Sequence, residues 1–148
     1  IDMSRQALND IRCFLSGIGA ECCEKTNLED WLRSLADIHL TSGTKVEVSI
    51  TDNIPAIDTS KAMAIYRICQ ESVTNAIRHG HAKTVNIIIK RYPKGIRIYI
   101  IDDGKGCSEI VKGYGLTGME ERVKKLGGNI TFGSDGEKGF NIVANLPI

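Results

Sequence analysis

Several things are missing from this chain, and each absence removes a class of function. There is no basic stripe, and the net charge is only +1, which argues against a dedicated nucleic-acid binder. No apolar run approaches the length of a membrane span, and no signal peptide is visible. The five cysteines, Cys13, Cys22, Cys23, Cys69 and Cys107, lack the C-x-x-C spacing of a zinc site, and adjacent Cys22 and Cys23 are an awkward pair to bridge. Small, mostly buried thiols in a reducing cytosolic setting are the expectation. There is no G-x-x-x-x-G-K-[ST], so a P-loop is excluded, and there is no internal repeat or low-complexity segment. What remains is 148 residues, 42% hydrophobic and 25% charged, enough for one proper core. The first residue is isoleucine rather than methionine, which leads us to expect a piece of a longer chain.

Residues 3–23 place Ala7, Leu8, Ile11, Leu15 and Ile18 at helical spacing. A second helix is expected over 28–42. Residues 45–51 alternate, with Val46, Val48 and Ile50 on one face, as a half-buried strand does. Asp58, Thr59 and Ser60 are candidate N-caps for a long helix that ends near Gly80. Alternating strands follow at 84–91 and 96–102; Tyr92-Pro93-Lys94-Gly95 between them suits a type I turn and an antiparallel hairpin. A short helix at 116–126, stopped by Gly127 and Gly128, precedes two strands at 129–133 and 140–146. Strands with one buried and one wetter face suit an α+β two-layer sandwich, with helices on one face of a largely antiparallel sheet.

The long helix has the wrong polar residues for an ordinary wet face. At about 100° per residue, Glu71, Asn75, Arg78 and His79 fall on one side, while Ile65, Cys69, Ser72, Val73 and Ala76 gather on another. A carboxylate, an amide, a guanidinium and an imidazole one turn apart could serve a metal, a phosphate and a proton. Taken alone, the same pattern reads sooner as a surface helix whose basic last turn suits its dipole.

Two glycine-rich stretches change that balance. Residues 113–118, GYGLTG, match G-x-G-x-x-G, but they follow a polar connector instead of a strand. No acidic strand end lies about 20 residues on, so the dinucleotide-binding fingerprint fails. The physical case for an anion survives: backbone N–H groups of glycines approach it closely, and a helix N-terminus begins at Leu116. In IDDGKG, residues 101–106, Asp102 stands at the mouth of a strand. Its carboxylate could accept from an exocyclic amine, with Gly104 and Gly106 leaving room for a flat ring. Each stretch alone reads more readily as a plain turn or loop.

In order, the chain shows Q-E-x-x-x-N-x-x-R-H on a helix, D-x-G-x-G after a strand, then G-x-G-L-x-G-M-x-E-R. This succession resembles the catalytic ATP-binding domain of bacterial sensor histidine kinases, within the superfamily shared with gyrase and mismatch-repair ATPases. More narrowly it resembles the subfamily whose partners are NarL-type response regulators. The resemblance implies the Bergerat fold and a division into residues 1–24, the end of a dimerisation helix with its linker, and 25–148, the ATP-binding domain. It implies ATP and Mg²⁺ as ligands, with Glu71 as the catalytic carboxylate and Asn75 as the side-chain ligand of Mg²⁺. Arg78 and His79 would contact the phosphate end and Asp102 the adenine amine, with Gly104 and Gly106 shaping the ring's slot. Gly113, Gly115, Leu116, Thr117 and Gly118 would close over the phosphates under a short lid.

Two positions depart from the family pattern. Phe140 follows Gly139 where a threonine is usual, which bears on a polar contact near the adenine. Gly80 follows His79 where alanine is common. None of His39, His79 or His81 stands where the phosphate acceptor would, so the resemblance places that histidine on a domain outside this chain. The parent is then expected to be a homodimer, compatible with an anchor in the bacterial membrane. This cytoplasmic piece is expected to be a monomer, since one partial helix leaves little interface. Two other readings keep the nucleotide site: a serine kinase like the anti-sigma-factor kinases, and a non-catalytic nucleotide-sensing interaction module.

Overall fold

The three central strands of this chain bury every second side chain along most of their length, and that alternation sets the layers. The computed structural model describes residues 28–39, 43–51, 54, 57–107, 113–134 and 138–147. The helix expected over 3–23 lies outside the described residues. The elements run α1 (Leu28–His39), β1 (Lys45–Thr51), α2 (Thr59–Arg78), β2 (Thr84–Tyr92), β3 (Gly95–Asp102), α3 (Tyr114–Lys125), β4 (Asn129–Gly133) and β5 (Phe140–Pro147). The five strands form one sheet in the order β1-β2-β3-β5-β4. β1 runs parallel to β2 with α2 as the crossover, and the other three pairings are antiparallel. This is the mixed, largely antiparallel two-layer sheet that the alternation implied.

One face of the sheet is apolar throughout. Val85, Ile87 and Ile89 on β2, Ile96, Ile98 and Ile100 on β3, and Ile142, Ala144 and Leu146 on β5 are all buried. The helices cover this side: α1 packs on β1, α2 on β2 and β3, and α3 on β4 and β5. The opposite face carries Asn86, Ile88, Arg97, Tyr99, Asn141 and Asn145, all more accessible, and Ile101 is 43% exposed. There Arg97 Nε donates to Asn145 Oδ1 at 2.6 Å and Asn145 Nδ2 donates to Asn129 Oδ1 at 2.7 Å, a polar ladder across three strands.

α2 starts at Asp58, whose carboxylate accepts the Lys61 N–H at 2.8 Å, a cap worth about 1 kcal/mol. Its buried side is Ile65, Tyr66, Ile68, Cys69, Ser72, Val73 and Ala76, the spacing that lays one stripe against a sheet. Ser72 is tolerated there because its hydroxyl donates to the Ile68 carbonyl at 2.6 Å. Trp31 meets Tyr66 edge to face, with centroids 6.1 Å apart, and so ties α1 to α2.

The β2–β3 hairpin pairs Tyr92 with Gly95 around Pro93–Lys94. Among the described residues only His81 takes a positive φ without being glycine, so this loop is neither type I′ nor type II, as a type I turn requires. α3 begins at Tyr114, two residues before its expected start, because Gly113 serves as its N-cap without any side-chain bond. It ends with the N–H groups of Gly127 and Gly128 on the carbonyls of Lys124 and Val123, a Schellman closure. No helix among the described residues is long and apolar enough to cross a membrane.

Ile87 sits mid-sheet, fully buried between register partners Val48 and Ile100. Ile87→Ala should cost about 2–5 kcal/mol of folding stability in urea unfolding; a loss below about 1 kcal/mol would contradict this packing.

Candidate functional site

Because the apolar stripe of α2 faces the sheet, its polar residues are turned toward the end of the sheet and toward α3. There they line a cavity of about 540 Å³, within the usual size for small-molecule sites. Glu71, Thr74, Asn75, Arg78, His79 and Gly80 come from α2 and its end. Asp102 comes from the last position of β3, and Phe140 from the first of β5. Gly106 and Cys107 follow β3, and Gly113, Gly115 and Leu116 belong to the start of α3. Ile100 and Ile142 form an apolar floor.

At one end stands Asp102, half-buried, paired in register with Phe140. Its Oδ1 accepts the Gly104 N–H at 2.8 Å. Burial pushes its carboxyl above the ordinary range, the Gly104 and Phe140 N–H groups pull the other way, and neighbouring Asp103 adds to the rise. The two aspartates of the IDDGKG stretch have different tasks. Asp103 is exposed, and its Oδ1 accepts the N–H groups of Lys83 and Thr84 at 2.8 and 2.9 Å, capping the start of β2.

At the other end, the first turn of α3 lies over Glu71. A β-carbon on Gly115 would collide with Glu71 Oε1, so this close approach requires glycine. The first-turn N–H groups of a helix have no intrahelical partner and favour an anion. Glu71 and Asn75 offer hard oxygen donors. Among the described residues no group of three or more His, Cys, Asp or Glu could cage a metal. That donor set fits a cation that keeps waters and substrate oxygens in its shell, as Mg²⁺ does.

The structure therefore brings Glu71, Asn75, Arg78, His79, Asp102, Gly106, Gly113, Gly115 and Leu116 to one cavity. Gly104, Thr117 and Gly118 do not border it. Gly104 is buried behind Asp102; Thr117 is exposed, and a β-carbon on Gly118 would meet open space. Sequence reasoning did not name Thr74, Ile100, Cys107 or Ile142 as lining, and it noted Phe140 only as a departure. The β3–β5 pairing sets Phe140 opposite Asp102, with its ring 6.4 Å from that of Phe132. Alternation alone could not reveal that pairing. Of the cysteines, buried Cys69 has its thiol pushed up to about 12 by burial, which leaves it inert, whereas Cys107 stands at the cavity wall.

Known proteins are similar to this chain in sequence and fold. Residues 60–148 match the family model described as histidine kinase-, DNA gyrase B-, and HSP90-like ATPase. Sensor histidine kinase LnrJ of Bacillus subtilis is 31% identical over 147 residues, covering 99% of this chain and 36% of that protein. Sensor histidine kinase LiaS of the same organism is 31% identical over 150 residues, covering 99% of this chain and 41% of that one. The chain thus spans well under half the length of these relatives. In fold it is similar to the ATP binding domain of PrrB from Mycobacterium tuberculosis, with a TM-score of 0.61 at 19% identity over 82% of this chain and 94% of that one. It is likewise similar to the histidine kinase domain of a blue-light activated kinase from Erythrobacter litoralis, with a TM-score of 0.65 at 19% identity over 81% and 64% of the two chains. The matched model and the alignments over nearly the whole of this chain leave one conclusion: this chain belongs to the family of histidine kinase-, DNA gyrase B- and HSP90-like ATPases.

Proposed function

We propose that this chain is the Mg-ATP-binding catalytic part of a two-component sensor histidine kinase. The observation that carries the reading is one cavity lined by Glu71, Asn75, Arg78 and His79 from α2 and its end, by the half-buried carboxylate of Asp102, and by the glycine-rich start of α3. The kinases LnrJ and LiaS, alignable over nearly the whole chain, support it. Asp102 binds the exocyclic amine of adenine, while Ile100, Ile142 and Phe140 enclose the ring's apolar faces. Arg78, His79 and the first-turn N–H groups of α3 hold the phosphates. Asn75 supplies the protein's side-chain ligand to Mg²⁺, which when bound offsets phosphate charge.

The acceptor is a histidine on a dimerisation domain beyond this chain. A bond forms between its imidazole nitrogen and the γ-phosphorus, the bond from the γ-phosphorus to the β–γ bridging oxygen breaks, and ADP leaves. Glu71 orients that imidazole and takes its proton. Arg78 and the α3 amides balance charge on the phosphoryl oxygens, so the chain contributes mainly positioning and electrostatics. Residues 1–24 are then the end of the dimerisation helix and its linker, and 25–148 the catalytic domain. The parent is a homodimer, compatible with a membrane anchor, and it serves a NarL-type response regulator.

Three outcomes test this. Asp102→Asn should weaken Mg-ATP binding in calorimetry by about 10- to 100-fold, the worth of a hydrogen bond to a charged group; unchanged affinity would remove Asp102 from the base site. In the full-length parent, Glu71→Gln should keep ATP affinity within a few-fold and lose about 10²–10⁴ in autophosphorylation rate. Transfer at the wild-type rate would show that Glu71 is not the base. The third outcome concerns pH. Asp102 holds its proton more tightly folded than unfolded, so stability declines as pH rises from about 3.9 through the folded value. In Asp102→Asn that decline should vanish. An NMR titration placing the wild-type Asp102 midpoint at or below about 3.9 would contradict it.

A further inference from the structure

Ser134 follows β4 directly and does not border the cavity. Its hydroxyl accepts the Cys107 N–H at 3.0 Å and donates to the Gly139 carbonyl at 2.8 Å. The Gly139 N–H donates to the Gly104 carbonyl at 2.5 Å. The Gly104 N–H in turn donates to Asp102 Oδ1 at 2.8 Å. Four hydrogen bonds thus run from the loop after β3, through one hydroxyl, back to the carboxylate at the end of the cavity.

The space around that hydroxyl is closed as well. Gly106 takes a φ of +63°, and a β-carbon there would sit 2.5 Å from Ser134 Oγ and 2.6 Å from the Gly139 carbonyl oxygen. The loop therefore rests directly on Ser134. Only a hydroxyl both accepts from an N–H and donates to a carbonyl at this size. Alanine would leave the Cys107 N–H and the Gly139 carbonyl without this partner in a part-buried place, the costly way to lose a hydrogen bond.

We propose that Ser134 is a positioning residue for the base of the nucleotide, holding residues 104–107 and through them Asp102 in binding geometry without itself touching the ligand. The inference rests on the nucleotide reading above. It is selective for one end of the cavity. Ser134 bonds to the loop after β3 and to Gly139 just ahead of β5, whereas the phosphate end is built from α2 and the first turn of α3, to which no hydrogen bond of Ser134 runs among the described residues.

The experiment is calorimetry of Mg-ATP and, separately, Mg-tripolyphosphate on the wild-type chain, Ser134→Ala and Ser134→Thr, with thermal melts in parallel. Ser134→Ala should bind Mg-ATP about five- to tenfold more weakly, the worth of about one hydrogen bond. It should bind tripolyphosphate as the wild type does, and Ser134→Thr should restore ATP affinity. Equal loss of both ligands, loss of folding in Ser134→Ala, or failure of threonine to rescue would make Ser134 a general stability residue and overturn the proposal. Wild-type ATP affinity in Ser134→Ala would overturn it alone. A wild-type chain that does not bind Mg-ATP would overturn the nucleotide reading and this inference with it.

Discussion

The burial of one side of α2 against the sheet is the interaction on which everything else depends. Ile65, Ile68, Cys69, Val73 and Ala76 are buried under that helix, and each large apolar side chain contributes about 1.5–3 kcal/mol. Burial does more than stabilise; it sets the rotation of the helix about its own axis. Once the apolar stripe is committed to β2 and β3, Glu71, Asn75, Arg78 and His79 have one direction left to face. The cavity is the space that this rotation leaves between α2, the strand ends and α3.

Backbone contacts then close the end of the cavity that α2 cannot build. The Lys105 N–H donates to the Gly80 carbonyl at 2.9 Å, so the loop after β3 is fastened to the end of α2. On its other side the same loop is fastened to Gly139. Asp102 therefore sits at a junction of three segments far apart in the chain. Its partial burial, and the raised affinity of its carboxyl for a proton, follow from that enclosure. A carboxylate kept from water in this way binds a donor group more selectively than one on an open surface.

Much of this was legible in the sequence. The strand at 45–51 falls where alternation placed it, the one at 129–133 falls within its expected bounds, and the polar side of α2 faces a cavity as its residue types suggested. Alternation reveals which face of a strand is buried but not which strand lies beside it. The insertion of β5 between β3 and β4, which brings Phe140 to Asp102, was therefore beyond reach. The two aspartates of IDDGKG were also indistinguishable as letters; only the path of the chain assigns Asp102 to the cavity and Asp103 to the cap of β2. Ser134 looked like ordinary loop composition, because a hydroxyl that joins two loops depends on contacts 27 residues away.

In the proposed function Mg-ATP lies between α2 and α3 with its base at Asp102. The most direct test is a titration of the isotopically labelled chain with Mg-ATP, followed by NMR amide shifts. The largest changes should fall on Gly104, Gly106, Gly113 and Gly115, while Ile88, Tyr99 and Val143 on the open sheet face stay in place. Changes centred on that open face, or none at saturating nucleotide, would contradict it.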